Sequence, residues 1–72
     1  MSECLENLLA MLDSSGPHLH VLLTRLTLRE DVAEELMQEL FLKLSRSDGF
    51  RRAHDPVAYS CRAATHLAFD WH

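Results

Sequence analysis

Ala33, Leu36, Met37, Leu40, Phe41 and Leu44 recur at three- and four-residue steps within Ala33-Glu34-Glu35-Leu36-Met37-Gln38-Glu39-Leu40-Phe41-Leu42-Lys43-Leu44. That spacing stacks side chains on one stripe of a helix and is incompatible with a strand, whose side chains alternate. The run is therefore a helix with a core face. Glu35, Gln38, Glu39 and Leu42 fall together on another side. On periodicity alone this second face has two readings: a solvated acidic surface with one exposed leucine, which is ordinary, or a partner-binding face that sets an apolar residue among carboxylates.

Further segments carry helical stripes. Leu5, Leu8, Leu9 and Leu12 predict a helix over about Ser2–Leu12, ended by Asp13-Ser14-Ser15-Gly16. Pro17 suits the first turn of a second helix with Leu19, Leu22, Leu23 and Leu26 on its apolar side. Thr27-Leu28-Arg29-Glu30 has the form of a capping box opening a third helix over about Leu28–Arg46. Its acids cluster early, and Lys43 and Arg46 come late, as the helix dipole favours. Ser47-Asp48-Gly49 reads as a break, with Gly49 placed for a left-handed conformation, followed by a loop carrying Phe50, Arg51, Arg52 and His54. Asp55-Pro56 starts a last helix, with Val57, Cys61, Ala64, Ala68 and Trp71 along one face and Arg62, Thr65, His66 and Phe69 on the other. The expected fold is all-α, a small bundle of about four helices.

Seventy-two residues allow a single domain with a thin core, and 47% hydrophobic against 25% charged residues is a globular composition. No apolar run approaches the ~20 residues that span a bilayer, and the acidic start, Met-Ser-Glu-Cys-Leu-Glu, does not resemble a signal peptide. A cytoplasmic location follows as an expectation. Cys4 and Cys61 occupy apolar positions and read as small buried hydrophobes. His18 and His20 point to different sides of a helix, so no metal or other cofactor is expected. Glu34 and Glu39 do not converge as an acid–base pair, and neither a nucleophile nor a phosphate loop accompanies them, so no enzyme is expected.

The net charge of −4 is unevenly spread. Residues 1 to 45 hold three bases against eight acids, a balance of −5, whereas residues 46 to 72 hold four arginines against three aspartates, a balance of +1. Such asymmetry suits an acidic surface for one partner and a weakly basic one for an anion such as nucleic acid. A helical protein-interaction module without a DNA-binding role is equally compatible with these charges.

Taken in order, the run Ala33–Leu44, the short basic segment with Phe50, and Pro56-Val57-Ala58-Tyr59-Ser60-Cys61-Arg62-Ala63-Ala64-Thr65-His66-Leu67-Ala68-Phe69-Asp70-Trp71 resemble region two of bacterial RNA polymerase sigma factors of the extracytoplasmic-function group. The likeness covers roughly residues 19 to 72 and rests on the pattern acidic-Leu-x-Gln-Glu. It implies an all-helical domain that docks on the clamp helices of the polymerase's largest catalytic subunit and opens and reads the minus-ten promoter element. Glu35, Gln38, Glu39 and Leu42 would then belong to the polymerase-binding face. Arg51, Arg52, Arg62, His66 and Phe69 would meet promoter DNA on its non-template strand, cations neutralising phosphates and Phe69 stacking on an unpaired base. An anti-sigma factor is a further partner that the resemblance admits. The sequence departs from the family pattern at Glu35 for Asp, Ser45 and Tyr59 for Trp, Ser60 for Leu, and His66 for Asn. Because Trp71-His72 carries no helix cap and no second DNA-binding domain follows, the chain reads as part of a longer protein.

Overall fold

The computed structural model describes residues 2 to 72, with side-chain surroundings described from Leu5 onward. The burial of Cys4 and the capping role of Ser2 lie outside that description. Among the described residues there are four helices and no strand: α1 Ser2–Thr27, α2 Glu30–Ser45, α3 Asp48–Arg52 and α4 Pro56–Trp71. α1 packs against both α2 and α4, α2 packs against α4, and the short α3 rests on α4.

The first two expected helices are one. α1 continues through Gly16 and Pro17, where the sequence pattern predicts a break. Pro17 has no N–H for the Asp13 carbonyl, and an interior proline costs about 3 kcal/mol and a glycine about 1. Against this, Leu8 and Met11 before the break and Leu19 and Leu23 after it are all buried, at ~1.5–3 kcal/mol for each large side chain. A continuous helix keeps both halves of that stripe aligned with α2 and α4, and the burial outweighs the two poor residues. The stripe also differs from the expected one in its first turns. Leu8 is buried as expected, but Leu5 and Leu9 stay about half exposed (46% and 51%), and Met11 faces the core instead.

The turn from α1 to α2 corrects a second expectation. Thr27 does not form the capping box with Glu30; Arg29 is the N-cap residue, with no side-chain cap. Thr27 is buried, its hydroxyl donates to the Leu23 carbonyl (2.8 Å), and its oxygen accepts the Arg29 N–H (3.3 Å). Leu28 supplies the reversal with φ of 61°, in the left-handed region that non-glycine residues seldom adopt. α2 itself follows its pattern: Val32, Ala33, Leu36, Leu40 and Leu44 are buried, and Met37 and Phe41 are partly so.

The expected loop after Gly49 is largely the helix α3, and Gly49 lies within it at negative φ. The Ser47 hydroxyl accepts the Phe50 N–H (3.0 Å) and caps this turn while Phe50 enters the core. α4 begins as expected, with the Asp55 carboxylate accepting the Ala58 N–H (3.1 Å) and Pro56 in the first turn. Ser60, Ala63, Ala64 and Ala68 are buried, and these small side chains let α1 and α2 approach the α4 backbone. The Ser60 hydroxyl donates to the Pro56 carbonyl (2.8 Å), which satisfies it inside the core. Cys61 is only half-buried, and Trp71 leaves the core stripe for the surface.

Candidate functional site

Two faces of different chemistry emerge from the α2–α4 pair. On α2 the core stripe turns inward, and Glu35, Gln38, Glu39 and Leu42 are all exposed, Leu42 by 51%. Among the described residues the ion pairs are Arg29–Asp31 (2.8 Å) and Arg51–Asp48, so Glu35 and Glu39 have no cationic partner. The face extends onto α4: Glu35 and Glu39 line a groove of about 400 Å³ with Leu67, Asp70 and Trp71, and Leu36 is part of the same lining. Sequence spacing assigned Glu35 and Glu39 to one face; Asp70 and Trp71 join them only because α2 and α4 pack together.

The second face lies on α4. Arg62, His66 and Phe69 are exposed at successive four- and three-residue steps, and all three line a groove of about 490 Å³ with His18 and Leu22 of α1. Phe69 is 63% exposed, which leaves its ring free to meet another flat surface. On the opposite flank of Arg62 and His66, Lys43 of α2 and Tyr59 line a smaller depression of about 160 Å³. The Arg62 guanidinium stands 6.0 Å from the centre of the Tyr59 ring, at the limit of a cation–π contact. Lys43, His18 and Tyr59 were not singled out as binding residues from sequence, since only the packing of three helices brings them beside Arg62.

Arg51 and Arg52 belong to a different place. Both are exposed on α3, Arg51 is paired with Asp48, and Arg51 lines a separate depression with Asn7, Met11 and Val57. Tyr59 connects the two regions: its ring meets Phe50 edge-on (6.1 Å between centres), and its hydroxyl is 2.9 Å from that of Ser47. The five cationic and aromatic residues read from sequence thus form two groups joined by one tyrosine.

Hydrogen bonding to Arg29 holds the exposed Asp31 carboxyl below its usual range, and the same contact raises the Arg29 guanidinium. Both sit at the start of α2, away from the grooves. Among the described residues no group of three or more His, Cys, Asp and Glu side chains is placed to hold a metal ion. No helix of the described residues is long and apolar enough to cross a membrane. No protein-family model, curated protein or solved structure matches the chain.

Proposed function

We propose that the chain is a sigma-factor region-two-like domain, a binding module without a catalytic centre that joins RNA polymerase to promoter DNA in the cytoplasm. One observation carries the reading: two helices packed side by side bear an exposed carboxylate–amide–leucine face on α2 and an exposed Arg–His–Phe face on α4. In this reading Glu35, Gln38 and Glu39 accept from arginines and lysines of the clamp helices, giving charge-assisted bonds stronger than neutral ones, and Leu42 adds apolar contact. Arg62 and His66 neutralise or bond phosphates of the non-template strand near the minus-ten element, and Phe69 stacks on a base freed from its pair. Arg51 and Arg52 reach the same strand from α3. His66 presents its donor and acceptor in divergent directions, so it contributes less to base discrimination than an asparagine amide, whose neighbouring donor and acceptor can meet one base edge together.

The test for the DNA half is retention of single-stranded promoter DNA by the chain assembled with polymerase. Binding is expected to weaken as salt rises and to fall when Arg62 and His66 are both changed to Ala. A helical protein-interaction module without a DNA role is the second reading, favoured by the net charge of −4. Retention indifferent to salt and to both substitutions selects it.

A further inference from the structure

The groove between α2 and the end of α4 combines two kinds of surface. Leu36 is buried there, Leu67 is half-buried, and the indole of Trp71 is 41% exposed. Glu35 and Glu39 stand on the α2 side and Asp70 on the α4 side, with no ion-pair partner among the described residues. The Trp71 ring meets that of His72 edge-on (4.9 Å, 68°), and His72 Nε2 donates to the Leu26 carbonyl (3.0 Å) at the end of α1. A large aromatic carries few rotatable bonds, so it loses little freedom when a partner covers it.

We propose that this groove receives an arginine side chain from a partner protein segment, with the guanidinium lying on the Trp71 indole between the carboxylates of Glu35, Glu39 and Asp70. Charge complementarity selects a cation. The flat aromatic wall and carboxylates on two sides select arginine over lysine, because a guanidinium stacks on a ring while its N–H groups fork toward carboxylates, and an ammonium does neither as well. The inference rests on the reading that the acidic face of α2 docks a cationic partner. It extends that face across to α4 and makes Trp71 its aromatic anchor.

Trp71 is the chain's single tryptophan, so its fluorescence reports occupancy directly. The probe is a synthetic amphipathic helix of leucine and arginine, beside versions carrying lysine or glutamate in place of arginine. The arginine peptide is expected to change the emission saturably, with at least tenfold weaker binding by the lysine peptide and none by the glutamate peptide. The E35Q/E39Q/D70N variant, which keeps its reporter and whose fold is checked by circular dichroism, is expected to bind at least tenfold more weakly. An unsaturable response, equal binding of the lysine peptide, or affinity in the variant within twofold of the original overturns the proposal. So does an emission change on raising the concentration of the chain alone, which would place a second copy in the groove. Polymerase binding by Q38A and L42A, outside the groove, reports on the docking reading separately. Loss there with no effect of W71A or D70N overturns the groove alone; specific peptide binding without any polymerase binding supports the groove and overturns the docking reading.

Discussion

Replacing either glycine by alanine is expected to move stability in opposite directions. At Gly16 an added Cβ would lie 4.0 Å from the Leu12 Cβ, an ordinary contact, in the interior of a long helix. Gly16→Ala is therefore expected to gain only part of the helix preference of ~0.8–1 kcal/mol, because the new Cβ also meets the Pro17 ring across the helical Gly16–Pro17 bond, a rise of no more than roughly 4 °C in Tm for a domain this small. At Gly49 the same atom would come 2.7 Å from the Tyr59 hydroxyl oxygen and 3.2 Å from two ring carbons. The tyrosine must shift, and its hydroxyl is engaged with Ser47 and its ring with Phe50. Losing the hydrogen bond costs about 0.5–1.5 kcal/mol, and loosening the aromatic pair costs a similar amount. Against a partial helix gain in so short an element, Gly49→Ala should cost roughly 1–2 kcal/mol, or roughly 4 to 16 °C. Thermal unfolding followed by circular dichroism measures both. In a Tyr59→Phe background the closest contact is gone, so the penalty of Gly49→Ala should shrink, a coupling that a double-mutant cycle isolates. A neutral or stabilising Gly49→Ala, or a penalty unchanged by Tyr59→Phe, would show that contact with Tyr59 does not set the cost at this position.

Ala64 is fully buried where α4 meets its neighbours, so Ala64→Leu is expected to destabilise by ~1–3 kcal/mol through overpacking, read as a lower urea midpoint. Asp55→Ala removes the carboxylate that accepts the Ala58 N–H at the start of α4. It should cost about 0.5–2 kcal/mol, and hydrogen exchange should accelerate first in the opening turn of that helix.

The all-α architecture and the buried face of α2 were legible because apolar spacing survives wherever a helix has one core side, whereas of the face expected on α4 only Ala64 and Ala68 are buried, beside Ser60 and Ala63. The α2 stripe from Ala33 to Leu44 and the Asp55–Pro56 start of α4 illustrate the legible part. The misread points are places where tertiary burial overrode local preference. Gly16-Pro17 reads as a terminus, yet leucines on both sides of it share one core. Gly49 reads as a left-handed cap, yet what its position requires is room for the Tyr59 ring. Leu28, which does take the left-handed conformation, carries no sequence signal for it. Of the site, sequence showed which residues share one helix face; it did not show Asp70 and Trp71 beside Glu35, or Lys43 and His18 beside Arg62. Those neighbours depend on how the helices pack, which no spacing along a single helix encodes.

The affinity of the chain for core RNA polymerase, compared with that of a folded variant in which Glu35, Gln38 and Glu39 are all alanine, tests the docking proposal most directly. All three side chains are exposed, so the fold should survive their removal. Binding by the original chain is expected, with a loss of at least about 30-fold in the variant, the equivalent of ~2 kcal/mol for an interfacial hot spot. Equal affinity of the two would contradict the docking proposal.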